Sequence, residues 1–148
     1  MENKALAALE PLIGDWEYTL YNAWFLESMD TRVVGRTIIE RLHNAFVVLR
    51  NESDGKPDDI WVIGYSDAQN KYQMFYCDQR GVARIFDMTF DGVTWSAWRE
   101  DTDFYQRFTI TLSPDKMHSV VEASEDQGKT WRKDFEMAYV RKARASKP

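Results

Sequence analysis

The sequence predicts an all-β protein: a closed antiparallel up-and-down barrel of about ten strands with one short N-terminal helix. Three observations lead there. From Trp16 onward, apolar and polar residues alternate with period two nearly to the C-terminus. Clusters of turn-forming residues interrupt that alternation about every 10 to 15 residues, and no helix-length pattern falls between them, which argues against βαβ units. A ten-strand meander left open would expose two edges, and closure removes both.

The elements follow in order. Residues 3–13 set Leu6, Leu9 and Ile13 on one helical face, with Pro11 late in the run, so one or two turns with an irregular end are expected. Strands are expected at 15–26, 31–42, 45–53, 59–66, 70–78, 82–90, 93–101, 103–112, 117–124 and 129–141. The reversals between them are His43-Asn44, Asp54-Gly55-Lys56-Pro57, Asp67-Ala68-Gln69-Asn70, Arg80-Gly81, Asp91-Gly92, Ser113-Pro114-Asp115 and Asp126-Gln127-Gly128. The tail, RKARASKP, is basic and polar and is expected to be loose. No linker, low-complexity tract or second unit is visible. Residues 1–148 therefore read as one domain, with 1–13 as the helical segment and 142–148 as the tail.

Composition bounds the function. Six Trp, seven Tyr and eight Phe make up 14% of the chain, and such rings either fill a core or line a cavity. A net charge of −5 argues against nucleic acid as the main partner. There is no apolar run of about 18 residues to span a membrane. The start, MENKALAALEPL, lacks the apolar centre of a secretory signal. The single Cys77 cannot form an internal disulfide and alternates with Phe75 as a small apolar group. A reducing cytoplasm is the expected compartment.

The short helix followed by Gly14-Asp15-Trp16 resembles the start of the calycin barrels, the lipocalins and their relatives. The resemblance implies that the helix plugs one end and that Trp16 packs under the barrel floor. It also implies that Arg141, from the last strand, lies across Trp16. A cation over an indole contributes roughly 0.5–2 kcal/mol, and Gly14 allows a tight turn from helix to strand. The stretches LEPLIGDWEY, IGYSDAQNKYQMFYCDQRG and FDGVTW are similar to a family of small uncharacterised lipocalin-like proteins found mainly in bacteria. The similarity covers about residues 9–141. That family's pattern is Gly-Tyr-Asp, a polar turn, a Tyr and a later Asp. Here Gly64-Tyr65-Ser66-Asp67 carries one inserted residue, while Tyr72 and Asp78 fit. The resemblance implies the fold and carries little about activity.

Ser124-Glu125-Asp126-Gln127-Gly128-Lys129-Thr130-Trp131 fits the Asp-box pattern S-x-D-x-G-x-T-W of sialidases and other propeller proteins, with a partial echo in Asp91-Gly92-Val93-Thr94-Trp95. A propeller needs several four-stranded blades, more than 148 residues supply. The motif reads as a hairpin turn: Asp126 accepts backbone hydrogen bonds, Gly128 takes the costly conformation and Trp131 packs the hairpin down.

The residues do not compose a catalytic or metal centre. The two histidines, His43 in a turn and His118 in the ninth strand, form no zinc-binding spacing. No Gly-x-Ser-x-Gly elbow and no glycine-rich phosphate loop occurs. Barrels of the same wider group can bind haem through a late His. The last strand, TWRKDFEMAYVRK, has none, which leaves His118 as the one candidate ligand, and no cofactor is expected. The acidic pairs Glu100/Asp101 and Asp58/Asp59 fall at strand ends and read as solvated charge.

The interior carries the functional signal. With the register fixed on Trp16, Tyr18 and Leu20 point inward. The inward set of the sixth strand is Val82, Arg84, Phe86, Met88 and Phe90. That of the eighth is Phe104, Gln106, Phe108, Ile110 and Leu112. That of the tenth is Trp131, Lys133, Phe135, Met137, Tyr139 and Arg141. In strands four, five and seven the choices are Trp61/Ile63/Tyr65, Tyr72/Met74/Tyr76 and Trp95/Ala97, although Trp98 makes the seventh ambiguous, and the ninth stays open. The expected ligand-binding residues are Tyr18, Leu20, Trp61, Arg84, Phe86, Met88, Gln106, Phe108, Phe135 and Tyr139, around a cavity open away from the helix. An isolated charge in an apolar interior is costly, so Arg84 either reaches an open end, pairs with an acid or faces a cavity. An aromatic wall with one cation suits a small hydrophobic molecule with an anionic head. Three readings remain open: a carrier or sensor of such a molecule, a lyase or isomerase in the same cavity, and a packed barrel that associates with proteins. Self-association as a homodimer would use exposed rings such as Trp98 or Trp24.

Overall fold

The computed structural model describes residues 3–144. A helical turn α1 (Lys4–Ala7) and a 3-10 turn (Glu10–Leu12) precede ten strands. These are β1 (Gly14–Tyr21), β2 (Val33–Leu42), β3 (Phe46–Ser53), β4 (Lys56–Ser66), β5 (Lys71–Asp78), β6 (Ala83–Phe90), β7 (Thr94–Glu100), β8 (Tyr105–Ser113), β9 (Lys116–Ser124) and β10 (Arg132–Arg144). Each strand pairs antiparallel with the next, and β10 pairs with β1, so the barrel closes without an edge.

The N-terminal segment forms the floor. Asn3 caps α1 by accepting from the Ala5 amide at 3.0 Å. Pro11 limits the next segment to one 3-10 turn. Its apolar face, Leu9 and Leu12, is fully buried beneath the strands. Trp16, also fully buried, donates from Nε1 to the Leu12 carbonyl at 3.1 Å. The Arg141 guanidinium lies 4.0 Å from the Trp16 ring centroid. Arg141 also donates to the carbonyls of Ile13 and Pro11 at 2.8 and 2.7 Å. The helix–Trp16–Arg141 arrangement that the sequence suggested is therefore present, and one side chain ties the last strand to the chain's first turns.

The turns have the chemistry read from the sequence. His43 and Asn44 have φ of 54° and 52°, and Asp54 and Gly55 have 50° and 70°. Two left-handed residues in succession give the hairpin reversal whose twist matches the strands. Most strand ends fall within about three residues of expectation, and three differences matter for the architecture. β1 ends at Tyr21, not at 26, because Asn22 turns left-handed at φ 49°, and residues 22–32 become a long connection over the barrel's other end. β4 starts at Lys56, and Pro57 is accommodated next to a register shift near its start. β10 runs to Arg144, paired with Gly14, so 142–144 of the expected loose tail are strand; residues 145–148 lie outside the described residues.

Alternation assigns the faces as expected for strands four to eight, with Tyr65 the exception at 37% exposure. Trp95 and Ala97 are buried in β7, which settles the ambiguity with Trp98. In β9, left open by the sequence, Met117, Ser119, Val121 and Ala123 face inward. No described helix is long and apolar enough to cross a membrane.

Candidate functional site

At one end the barrel is filled by core side chains packed on Leu9, Leu12 and Ile13 of the helical segment. The rest of the interior holds a cavity of about 670 Å³, whose rim is formed by Trp24, Phe25, Arg80, Arg84 and Phe104, at the end away from α1. That volume falls within the range of small-molecule sites.

The wall is aromatic. Trp61 sits at its centre, with ring centroids of Tyr76, Phe86 and Phe108 at 4.8, 5.0 and 5.7 Å. Phe108 continues to Phe135 at 6.1 Å, and Phe135 to Phe25 at 5.7 Å. These contacts are tilted or edge-to-face, the geometries in which rings attract. They run from the core to the 22–32 connection. Trp24 is held there by its Nε1 donating to Asp134 at 2.8 Å and by the Arg132 guanidinium 4.8 Å from its ring centroid.

Nine of the ten expected residues line this one cavity: Tyr18, Leu20, Trp61, Arg84, Phe86, Gln106, Phe108, Phe135 and Tyr139. Met88 does not. It faces inward and is fully buried, but it packs toward the helix end, among residues of the core. Lys133, expected inward, instead donates to Glu136 at 2.8 Å on the outer face. His118 is also outside, with Nε2 at 3.1 Å from Glu136 and 3.2 Å from the Tyr21 hydroxyl. Among the described residues no group of His, Cys, Asp or Glu is arranged to hold a metal ion.

Sequence alternation missed two acids of the wall, Asp58 and Asp134, for a common reason. In β10 the register shifts between Lys133 and Phe135, so Asp134 is the extra residue of a bulge. In β4 the pairing passes from Asp59 to Pro57, so Asp58 is the extra residue. Bulges re-aim side chains, and here each turns an aspartate into the cavity wall beside its inward neighbour, Phe135 or Asp59.

Most polar groups of the wall satisfy one another. Gln106 donates to Asp134 at 2.9 Å. Asp58 accepts from Ser53 at 2.7 Å and Tyr18 at 3.3 Å. Tyr76 donates to Asp78 at 2.6 Å, and the Arg80 guanidinium beside Asp78 holds that carboxyl well below the usual range. Burial and the neighbouring Asp58 push the Tyr18 hydroxyl up to about 12. Asp59, read from the sequence as solvated, is partly buried. It accepts from Asn51 at 2.7 Å. Burial raises its pKa to about 6, helped by Asp58 and Asp78, against the hydrogen bonds from Asn51 and Trp61.

Two cavity groups stand apart. Arg84 lies 5.0 Å from the Phe104 ring centroid. The Arg99 guanidinium is on the same ring at 4.8 Å, but it is neutralised by Asp103 at 2.9 Å and Asp101 at 3.2 Å. Among the described residues no acid pairs with Arg84. Trp95 is 2% exposed, lines the cavity, and its indole N–H has no hydrogen-bond partner.

Comparison with known proteins returns the fold and nothing finer. No family model matches the chain, and no curated protein does. Among solved structures the chain is similar to one described as "Crystal Structure of Rv2717c from M. tuberculosis", with a TM-score of 0.64 and 11% identity over 96% of this chain and 99% of that one. At that identity the likeness is one of architecture: both chains form the same kind of barrel from almost unrelated sequences.

Proposed function

We propose that the protein is a lipocalin-like carrier or sensor that holds one small hydrophobic molecule, with its anionic head at Arg84 and its apolar body against the aromatic wall. The observation that carries this reading is Arg84: a guanidinium at the rim of an aromatic cavity, without an acidic partner among the described residues. Such a cation favours a carboxylate or another planar anion. The calycin assignment draws support from Gly14, from Trp16 over the plug and from Arg141 across Trp16.

An anilinonaphthalene sulfonate dye or a fluorescent fatty acid is expected to bind the native protein at about one per chain. Arg84→Met is expected to weaken anionic ligands by roughly 1.5–3 kcal/mol, the worth of a charged hydrogen bond, and neutral ones much less. Equal losses for both would make Arg84 scaffold, and no binding at all would remove the carrier reading. A second reading rests on Asp59. A carboxyl titrating near 6 inside a cavity is suited to proton transfer, which supports a lyase or isomerase acting on the same class of anion. Proton NMR of ligand released after incubation separates the two, because it registers isomers as well as cleavage products: a carrier returns the ligand unchanged.

A further inference from the structure

We infer that Gly35 sets the width of the cavity by giving the Tyr18 phenol a recess in the wall, and that it thereby admits anions with a ring body as well as chain-like ones. Gly35 is then a positioning residue that acts on the ligand through Tyr18. This rests on the carrier reading and makes it more specific.

A glycine inside a strand weakens the strand and often marks a place where another group comes close. Gly35 is the third residue of β2. It has the parity of Thr37 and Ile39, which are buried, whereas Val34 on the opposite parity is exposed. A side chain at position 35 would therefore point into the barrel. Tyr18 stands directly opposite Gly35 in β1, and Tyr139 of β10 stands on the other side of Tyr18. A β-carbon at position 35 would overlap two groups. One is the end of the Tyr18 phenol, at Cζ and the hydroxyl oxygen; the other is the Glu52 carbonyl oxygen of β3. The Tyr18 ring thus lies along the wall, over the bare glycine. From there its hydroxyl reaches across to β4 and donates to Asp58 at 3.3 Å.

The two neighbours differ in how they can respond to a side chain. The Glu52 carbonyl belongs to a strand paired with β2, so moving it means moving backbone. The phenol is the end of a side chain. Its wall side is occupied by β2, so displacement from Gly35 carries it into the lumen and away from Asp58. On that side stands the Tyr139 ring, its centroid 6.4 Å from that of Tyr18. Both tyrosines line the cavity. A raised Tyr18 narrows the space at this level, where an alkyl chain still passes and a fused-ring body does not. Width is then read by Gly35 and Tyr18, and charge by Arg84.

The experiment compares a broad and a slim anion, anilinonaphthalene sulfonate and decanoate, on the full-length protein by calorimetry. In Gly35→Ala the dye is expected to bind about ten-fold more weakly or worse, the discrimination a pocket wall shows toward one methylene, while decanoate stays within about three-fold of wild type. In a Tyr18→Leu background, which has no phenol to displace, Gly35→Ala is expected to change dye affinity by less than about two-fold, as independent sites do. In the wild-type protein a nuclear Overhauser contact between the Tyr18 ring protons and the Gly35 α-protons is expected, and it is expected to persist when the dye fills the cavity. That measurement needs no variant to fold. A folded Gly35→Ala that binds the dye as wild type does, or that loses both anions equally, would overturn the inference and leave the carrier reading standing. So would a Tyr18–Gly35 contact that vanishes in the dye complex. An undiminished effect of Gly35→Ala in the Tyr18→Leu background would assign it to the Glu52 carbonyl and overturn the inference as well. Failure of both anions to bind the wild-type protein would overturn both readings.

Discussion

Asp59 stands opposite Asp78 across the β4–β5 ladder and lines the cavity, and its carboxyl titrates near 6, not near the usual 3.8. The sign of the consequence is fixed by linkage. A carboxyl whose pKa is higher in the folded state binds more protons when folded, so its contribution to stability falls as pH rises. Below about 4 the group is neutral in both states. Between about 4 and 6 the native group is protonated while the unfolded one is ionised, and the cost of burying charge grows through this window. Above it the cost is complete. Asp59→Asn keeps the acceptor for Asn51 and removes the charge. It is expected to be more stable than wild type at pH 7.5 by roughly 1–3 kcal/mol, with the difference shrinking toward pH 4. Urea melts of both proteins across that range measure it, and a difference independent of pH would assign the effect to packing. The sequence showed Asp58-Asp59 only as adjacent acids at a strand end. Asp59 shares the inward parity of Trp61 and Ile63, whereas Asp58 reaches the wall only through a register shift that period-two reading cannot see.

Elements of regular alternation were legible, and their interruptions were not. The inward sets of β6 and β8 follow directly from apolar periodicity. The bulges at Asp58 and Asp134 each insert one residue, reverse the parity that follows and bring an acid inside, which is why Lys133 points out and Asp134 in. The connection 22–32 was misread in part because Trp24 and Phe25 have strand-like composition. They serve as rim, bound to Asp134 and Phe135. The β9–β10 turn was legible because its chemistry is local. Asp126 accepts from the Thr130 amide and the Ser124 hydroxyl, both at 2.8 Å, and from the Thr130 hydroxyl at 2.5 Å. Trp131 donates to the Gly128 carbonyl at 3.2 Å, under the Arg107 guanidinium 3.9 Å from its ring centroid. The hydrogen bonds from Thr130 and Ser124 hold the Asp126 carboxyl down to about 2. Its stabilisation is therefore present above the ordinary 3.8 and lost as pH falls toward 2. Asp126→Ala is expected to lower Tm by several degrees at pH 7, to lose that deficit at low pH, and to bind the dye as tightly as wild type. Full stability with lost binding would make the turn a ligand site.

At the scale of the whole barrel, holding the fold and holding a ligand fall to opposite ends. At the floor, Arg141 has its side chain 5% exposed, lies on Trp16 and donates to the carbonyls of Ile13, Pro11 and Pro114, so it ties β10 to the plug. At the rim, Arg84 rests on one ring and, among the described residues, has no acidic partner. One charge is consumed by structure and the other is left over. Substituting each by Met keeps an apolar stem of similar length and removes the cation. Arg141→Met removes charged hydrogen bonds and a cation–π contact and leaves buried carbonyls unpaired. It is expected to cost roughly 3–5 kcal/mol of stability. Dye affinity per folded molecule should be unchanged, because the cavity opens at the other end. Arg84→Met is expected to do the reverse, with a shift in stability within about 0.5 kcal/mol and the loss confined to anionic ligands. Thermal melts and dye titrations of the two variants side by side test the division. If Arg141→Met weakened the dye as much as Arg84→Met did, while remaining folded at the working temperature, floor and cavity would be coupled, and the plug would have to be counted as part of the binding site.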